Sequence, residues 1–263
     1  MPTTISIVTQ KGGSAKTTTT INLGAALVRL GYSVLLVDAD PQASLTAALG
    51  IVDEQEHSLF SELSKEIKGE NGNLNLAIIT TKSGINFIPS SIDLAWAELE
   101  LVSVYGREQV FTWLLDKLET QAERRPYDFI LFDCPPSVGM LTVNALVASN
   151  YVLLPLQAEF LPKKAVGSFM HHLKILKKLN KNLEVLGIVL NRYDERKLIS
   201  KQILHELQAE FGEKVFDTYI RTNVALVKAQ EAGKDIFSFD ANANGAKDYS
   251  SLAVEFLQKL KKM

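Results

Sequence analysis

The chain has 263 residues, of which 46% are hydrophobic and 22% charged, and its formal net charge is −2. These values are ordinary for a soluble globular protein, and the length suits one large domain. The sequence has no apolar run of about 18 residues and no signal-peptide pattern, and its one cysteine, Cys134, excludes an internal disulfide or a cysteine-built metal site. We therefore expect a cytoplasmic protein.

Strand-like and helix-like segments alternate along the chain, which predicts an α/β fold with one doubly wound, mostly parallel sheet and helices on both faces. The predicted strands are 5–8, 34–37, 85–89, 129–132, 151–155, 185–190 and 216–220. The predicted helices are 19–31, 45–49, 59–67, 94–105, 110–123, 166–179, 200–211 and 249–260. Because no internal repeat or linker interrupts this pattern, residues 1–263 are expected to form a single domain.

A phosphate-binding loop follows the first predicted strand. Its residues are Gln10, Lys11, Gly12, Gly13, Ser14, Ala15, Lys16, Thr17 and Thr18. Glycines let backbone N–H groups surround phosphate oxygens, and the N-terminus of the next helix adds partial positive charge. Lys16 supplies a full positive charge, and the Thr17 hydroxyl is suited to Mg²⁺. The loop predicts a site for a nucleoside triphosphate.

Two positions in this loop differ from the usual pattern G-x-x-x-x-G-K-[ST]. Gln10 stands at the first glycine and Ala15 at the last. If the position of Ala15 requires a positive φ, its methyl group costs roughly 1 kcal/mol in strain. We therefore expect a reduced nucleotide affinity or turnover, or an adapted loop.

Polar side chains also follow three later strands. Asp38 and Asp40 come after the second strand, Asp133 follows the apolar run 129–132 as a Walker B carboxylate does, and Asn191 follows 185–190. Because ligands bind beyond the carboxyl ends of parallel strands, we expect these residues to share one site with the phosphate loop. A carboxylate near Mg²⁺ and one near the attacking water are what phosphoryl transfer requires.

The loop resembles the deviant Walker A motif, K-G-G-x-x-K-[ST], of the ParA/MinD family of ATPases. The resemblance implies that Lys11 reaches the nucleotide of a second subunit and that Lys16 is the ordinary phosphate lysine. Residues 38–42 are similar to the family's D-x-D-P-Q motif. By that match Asp40 positions the attacking water, and the residues expected at or near the magnesium shell are Thr17, Asp38, Asp40 and Asp133.

The similarity extends over nearly the whole chain. Residues 155–160 resemble the P-x-Q-x-E segment of ParA/Soj proteins, 193–196 their Y-D-x-R segment, and 215–233 the stretch before their final helix. Asn191 and Arg192 match an Asn-Arg pair whose asparagine contacts adenine in some members. Thr222 and Ala225 stand where many relatives have arginine, and Gln230 replaces a common proline.

The resemblance implies a ParA-type ATPase with ATP and Mg²⁺ as cofactors. Such a protein forms a homodimer around two ATP molecules, binds DNA non-specifically, and is released when a ParB-like or other cargo adaptor stimulates slow hydrolysis. The cargo is a plasmid, a chromosome origin or a protein assembly. We expect a cytoplasmic location, on the nucleoid in the ATP state, and no DNA-binding extension before the loop.

Basic residues are concentrated in one region that is a candidate for DNA contact. Residues 161–201 contain ten lysines and arginines and three acidic residues, and such an excess can hold DNA phosphates. The candidate contacts are Lys174, Lys177, Lys178, Lys201 and Arg221. The alternative is an ordinary solvated helix face.

Three other functions remain open from the sequence. A MinD-like membrane-surface ATPase would use the C-terminal amphipathic segment 252–262 on lipid. A metabolic enzyme on the same scaffold is a second alternative, although nitrogenase iron protein needs cysteines that this chain lacks. A nucleotide-binding module with little hydrolysis is the third, and Ala15 is the residue that favours it.

Overall fold

The structure is a computed structural model, which describes residues 2–118, 126–158 and 162–263, with only the helical backbone for 162–165. The strands of the described residues are β1 (Thr3–Ile7), β2 (Val34–Asp38), β3 (Ile79–Thr80), β4 (Asn86–Ile88), β5 (Phe129–Asp133), β6 (Tyr151–Gln157) and β7 (Glu184–Asn191). Their helices are α1 (Lys16–Arg29), α2 (Ser44–Ala48), α3 (Leu59–Ile67), α4 (Leu94–Leu101), α5 (Val110–Asp116), α6 (Met140–Val147), α7 (Pro162–Leu176), α8 (Leu198–Phe211), α9 (Val224–Glu231), α10 (Ile236–Asp240) and α11 (Asn244–Lys262).

The described strands form one sheet in the order β3-β4-β2-β5-β1-β6-β7. Only the short edge strand β3 is antiparallel to its neighbour, and the other neighbouring pairs are parallel. Asp133 at the end of β5 lies level with Ile7 of β1 and with Asp38 of β2. The expected doubly wound sheet is confirmed, and its register brings the ends of three strands together.

Side chains alternate between the two faces of the sheet, as the period of a strand requires. In β2, Leu35 and Val37 belong to a core covered by α3 to α8, whereas Val34 and Leu36 belong to a second core beneath α1 and α9 to α11. Burial of both faces explains why the strands read as continuous apolar runs.

The C-terminal helix α11 is part of the second core. Tyr249, Leu252 and Phe256 on its apolar face are fully buried, and the Tyr249 hydroxyl contacts Thr19 of α1. The helix therefore uses its apolar face for packing. Among the helices of residues 2–118, 126–158 and 162–263, none is long and apolar enough to cross a bilayer.

The predicted strand 216–220 is wrong, because the structure has no strand in this segment and only isolated bridges on either side of it, from Val215 to Ile188 of β7 and from Arg221 to Tyr193. Phe216 and Ile220 each donate one backbone hydrogen bond to β7. Between them, the N–H groups of Asp217 and Thr218 donate to the Glu255 carboxylate of α11, at 2.8 Å each. A side chain from a distant helix thus replaces the partner that a strand would supply.

Several predicted boundaries differ from the observed elements, and four elements were not predicted. Helix α1 begins at Lys16, inside the phosphate-binding motif, and α5 ends at Asp116. The last part of the predicted helix 110–123 falls on residues 119–125, outside the described residues. The unpredicted elements are β3, α6, α9 and α10. Each has eight residues or fewer, too few for the periodic pattern to be decisive.

Candidate functional site

A cavity of about 960 Å³ opens at the carboxyl edge of the sheet, within the size range of small-molecule sites. Its lining includes residues 12–18 of the phosphate loop, Asp40 after β2, and Asn191 and Arg192 after β7. Asp38 and Asp133 lie buried at the ends of neighbouring strands. The structure therefore brings the predicted nucleotide-site residues to one edge, except that exposed Lys11 is not among the cavity-lining residues.

The phosphate loop connects β1 to the first turn of α1. Lys16 is the first residue of the helix and is only 8% exposed. The Gln157 side chain, at the end of β6, donates a hydrogen bond to the carbonyl of Gly13. Gly13 has a φ of 73°, so its conformation is one that glycine adopts without strain. These features hold the loop at the N-terminus of α1, where anions are favoured.

Ala15 also has a left-handed conformation, with a φ of 67° and a ψ of 28°. It occupies the N-cap position of α1 and lines the cavity. A residue with a Cβ is strained in this region, whereas glycine is not. Ala15 thus has the positive φ on which the expected strain depends, and the loop keeps the glycine-like backbone despite the methyl group.

Replacement of Ala15 by glycine is expected to increase the free energy of unfolding by about 1 kcal/mol, because it removes the left-handed strain. It should also tighten the binding of Mg·AMPPNP, since Ala15 lines the cavity. Urea denaturation and calorimetric titration measure the two effects.

Ala43 provides the matched control, because it is also a left-handed N-cap alanine, with a φ of 51° at the start of α2. It is not among the residues that line the cavity. Ala43→Gly should therefore give a similar gain in stability without a change in nucleotide affinity. Equal affinities for wild type and Ala15→Gly would show that the methyl group does not disturb binding.

Asp133 at the end of β5 is bonded to two hydroxyl groups of α1. Thr17 Oγ1 donates to Asp133 Oδ2 at 2.7 Å, and Thr20 Oγ1 contacts Asp133 Oδ1 at 3.3 Å. Complete burial raises the pKa of Asp133 to about 7, although the Thr17 hydrogen bond and the Lys16 charge oppose the shift. This pairing of a threonine hydroxyl with a strand-end carboxylate suits the shell of a Mg²⁺ ion.

Asp38 at the end of β2 is held by the next helix. Its Oδ2 atom accepts hydrogen bonds from the Thr46 backbone N–H at 2.9 Å and the Thr46 hydroxyl at 2.7 Å. Burial, followed by repulsion from Asp133, raises the pKa of Asp38 to about 8. Two buried carboxylates thus face each other across neighbouring strands and favour added positive charge.

Asp40 lies two residues beyond Asp38, where the chain has left the strand. Its Oδ1 atom accepts a hydrogen bond from the backbone N–H of Gln42 at 2.9 Å, and its carbonyl accepts one from the Ser90 hydroxyl at 2.8 Å. It lines the cavity and is 8% exposed. The turn at Pro41 therefore separates the two carboxylates, with Asp38 buried and Asp40 at the cavity wall.

Asn191 and Arg192 form another part of the cavity wall, after β7. Asn191 is almost fully buried, and its carbonyl accepts a hydrogen bond from the Ala158 N–H at 3.0 Å. Arg192 is exposed and has a φ of 53°. Both residues follow a strand parallel to β6, so their place at this edge matches the prediction from the sequence. Glu159 of the P-x-Q-x-E segment lies outside the described residues.

The candidate DNA-binding residues do not form one patch in the described structure. Lys174 lies in the last turn of α7, with exposed Lys177 and Lys178 directly after it, whereas exposed Lys201 lies in the first turn of α8. Both helices begin at the carboxyl edge, so Lys174 lies roughly 18 Å along α7 from that edge. Arg221 forms an ion pair with Asp248 at 2.5 Å.

Four residues that hold the site were not assigned a role from the sequence. Gln157 bonds the phosphate loop, and Gln230 of α9 donates to the Thr18 hydroxyl. Thr46 donates to the Asp38 carboxylate, and Ser90 donates to the backbone carbonyl of Asp40. Gln157 had a usable signal, because it is a polar residue at the end of a buried strand. The other three act through contacts that only the fold creates.

The polar groups at the cavity fit a phosphate group with Mg²⁺. The Ser14 hydroxyl is buried, lines the cavity and has no hydrogen-bond partner within the described residues. Lys16 lies two residues further along the chain at the start of α1, and the buried carboxylates of Asp38 and Asp133 lie at the neighbouring strand ends. A phosphate oxygen would satisfy the donors, and a divalent cation would balance the carboxylates.

Comparisons with known proteins agree with this geometry. The AAA domain family matches residues 2–185. The chromosome partitioning protein ParA of Caulobacter vibrioides is 38% identical over 256 residues, which are 97% of this chain and 94% of ParA. The sporulation initiation inhibitor protein Soj of Bacillus subtilis is 38% identical over 253 residues, 95% of this chain and 96% of Soj. A similar solved structure is that of cobyrinic acid a,c-diamide synthase from Mycobacterium smegmatis, which contains a bound ATP analog and magnesium. It has a TM-score of 0.83 and 32% sequence identity to this chain, and the match covers 99% of this chain and 96% of the synthase.

Proposed function

Because the chain belongs to the ParA/Soj family of chromosome-partitioning ATPases, we propose that it is a positioning ATPase with ATP and Mg²⁺ as its cofactors. In the proposed cycle, ATP drives formation of a homodimer that binds DNA without sequence preference. A ParB-like or other adaptor on the cargo stimulates hydrolysis to ADP and phosphate and so releases the dimer. The protein acts as a single ATPase domain in the cytoplasm, on the nucleoid in its ATP state.

The observation that carries this proposal is the combination of groups around one cavity. Lys16 begins α1 beside the phosphate loop, Thr17 is bonded to the strand-end carboxylate of Asp133, and Asp40 lines the same cavity. Each group meets a separate requirement of phosphoryl transfer, namely charge on the phosphates, a metal shell and a residue for the attacking water.

In the proposed mechanism, the backbone N–H groups of the loop and the Lys16 ammonium hold the phosphates. The Thr17 hydroxyl and Asp133 would hold Mg²⁺, which supplies positive charge against the phosphate oxygens when bound. Asp40 orients the attacking water and accepts its proton as the water oxygen bonds to the γ-phosphorus and the bond from that phosphorus to the ADP leaving group breaks. Asn191 contacts the adenine, and Asp38 supplies a second acidic group beside Asp133 on the metal side of the cavity.

We propose that Lys11 completes the site of a second copy of the chain. It is exposed, and it precedes the two glycines of the loop. A cation supplied in trans stabilises the charge that develops on the transferred phosphate, as an arginine finger does. Hydrolysis would then depend on dimerisation, which explains how a partner protein can control it.

The proposal is tested by measuring phosphate release and light scattering with ATP, with and without non-specific duplex DNA, for wild type and Lys11→Ala. Wild type should form a dimer with ATP and bind the duplex at low salt, whereas Lys11→Ala should lose turnover. Lys68→Ala is a matched control, because Lys68 is exposed at the end of α3, away from the cavity lining. If ATP gave wild type neither a dimer nor DNA binding, the proposal would be wrong.

For the DNA contacts, we expect Lys174, Lys177 and Lys178 together to contribute more to the salt dependence of DNA binding than Lys201 does. Each lysine that neutralises a phosphate contributes about 0.9 to the slope of log affinity against log salt. Replacing Lys174, Lys177 and Lys178 by alanine should therefore reduce the slope by about 2 to 3, and Lys201→Ala by about 1. Fluorescence anisotropy with a labelled duplex at several salt concentrations measures both slopes.

The matched control for these variants is Lys68→Ala with Lys82→Ala, which removes exposed lysines outside residues 161–201. This control should keep the wild-type slope. Equal slopes for the triple variant and wild type would show that Lys174, Lys177 and Lys178 do not contact DNA.

The membrane-surface alternative finds no support in α11. Membrane binding through this helix would require its apolar face to leave the core, yet Tyr249, Leu252 and Phe256 are fully buried there. We therefore expect no ATP-dependent sedimentation with anionic liposomes. Sedimentation of wild type with ATP, but not with ADP, would favour the membrane function instead.

A further inference from the structure

Gln230 of α9 contacts the first turn of α1 at the wall of the phosphate cavity. Its Nε2 atom donates a hydrogen bond to the Thr18 hydroxyl oxygen at 3.1 Å. Both residues line the cavity, and Gln230 is half-buried. Thr18 lies two residues beyond Lys16, so this contact joins a distant segment of the chain to the phosphate-binding helix turn.

The packing around α9 fixes the position of Gln230. Directly after the helix, Gly233 lies against Gly50, and a Cβ atom on Gly233 would come within 2.7 Å of the Gly50 Cα. Three residues further on, the Ile236 N–H donates to Asn22 Oδ1 of α1 at 2.8 Å. Because the residues directly after α9 pack against Gly50 and bond to α1, the Gln230 side chain is held where it reaches Thr18.

The chemistry of this hydrogen bond determines what the Thr18 hydroxyl can do. An amide nitrogen donates but does not accept, so the Thr18 oxygen is the acceptor. The hydroxyl proton of Thr18 then points away from Gln230 and is available to a further acceptor. Since Thr18 lines a cavity that fits an anion, a nucleotide oxygen is the acceptor that this arrangement suits.

We propose that Gln230 is a positioning residue for nucleotide binding that acts through Thr18, by directing the Thr18 hydroxyl proton toward a phosphate oxygen. The inference rests on the proposed function, because it takes the ligand of the cavity to be a nucleotide. Gln230 lies on α9, outside the phosphate-binding motif, so the contact belongs to the fold of this chain rather than to the motif that identifies it.

The test is calorimetric titration of Mg·AMPPNP into wild type and variants. Gln230→Met keeps the side-chain length but removes the donor, and it should weaken binding about tenfold, the scale of one hydrogen bond to a charged group. Gln230→Lys keeps a donor and should bind within about threefold of wild type. In a Thr18→Val background, Gln230→Met should cause no further loss, because the two residues act as one unit.

Two further measurements separate positioning from a general effect on folding. At saturating ATP, Gln230→Met should keep the wild-type kcat within about twofold while its KM rises. Its thermal unfolding without nucleotide should match that of Gln208→Met, a control on the exposed surface of α8.

The outcomes distinguish this inference from the proposed function. If wild type does not bind Mg·AMPPNP, both are wrong. If wild type binds but Gln230→Met binds equally well, only the role of Gln230 is wrong. A tenfold loss that persists in the Thr18→Val background would also overturn it, because Gln230 would then act without Thr18.

Discussion

Replacement of Asp40 by alanine is expected to lower kcat for ATP hydrolysis by two to four orders of magnitude, while the affinity for Mg·AMPPNP stays within about threefold of wild type. This range is typical of the loss of a residue that positions and deprotonates the nucleophile. Asp40 lines the cavity, whereas the carboxylate bonded to Thr17 belongs to Asp133. Steady-state phosphate release and calorimetric titration measure the two quantities, and the variant should still form the ATP-dependent dimer.

A second variant keeps this result interpretable. The Asp40 carboxylate accepts a hydrogen bond from the Gln42 N–H, so alanine also loosens the turn after β2. Asp40→Asn retains an oxygen acceptor for that N–H but cannot take a proton from water. It should lose turnover to a similar extent, and Asp53→Asn on the exposed loop nearby should not. Wild-type turnover in Asp40→Asn would assign the attacking water to another residue.

The sequence predicted those residues of the site that lie at the carboxyl ends of strands. Apolar runs end at Asp38, Asp133 and Asn191, and parallel strands present their carboxyl ends at one edge. This rule needs no knowledge of loop geometry, and the structure places all three residues at that edge. The alternation of strand-like and helix-like segments also predicted the mostly parallel sheet, although it wrongly added a strand over 216–220.

The part that was not predicted depends on contacts between segments distant in sequence. Ser90 fixes the backbone of Asp40 from 50 residues away, and Gln230 reaches Thr18 across 212 residues. Single polar residues in short helices or loops carry no periodic signal. The raised pKa values of Asp38 and Asp133 were also not accessible from the sequence, because burial is the main cause of both shifts, with added repulsion from Asp133 on Asp38 and from Asp40 on Asp133.

Replacement of Asp133 by asparagine is expected to stabilise the nucleotide-free protein, and by more at pH 8 than at pH 5. The pKa of Asp133 is raised to about 7 by burial, whereas an unfolded aspartate has a pKa of about 3.9. Between these values the folded state keeps a proton that the unfolded state releases, so the stability of wild type falls as the pH rises.

Asparagine does not ionise, so Asp133→Asn avoids this loss of stability, and the gain should be on the order of a few kcal/mol at pH 8 and small near pH 4. One of the two hydroxyls of Thr17 and Thr20 can keep donating to the amide oxygen while the other rotates to accept from the amide nitrogen, so the variant keeps its local hydrogen bonds. Urea denaturation at pH 8 and at pH 5 measures the effect on the free energy of unfolding. Asp116→Asn is the control, because Asp116 is exposed at the end of α5.

The same substitution should weaken the Mg²⁺-dependent part of AMPPNP binding and reduce hydrolysis, although the protein becomes more stable. A gain in stability together with a loss of Mg²⁺-dependent binding distinguishes a metal-binding carboxylate from one that only stabilises the fold. A buried carboxylate that served packing would lower stability when replaced, because its hydrogen bonds would be lost without the removal of any repulsion. A variant that was less stable at pH 8 than wild type would therefore contradict the assignment of the Asp38–Asp133 pair to the metal side of the cavity.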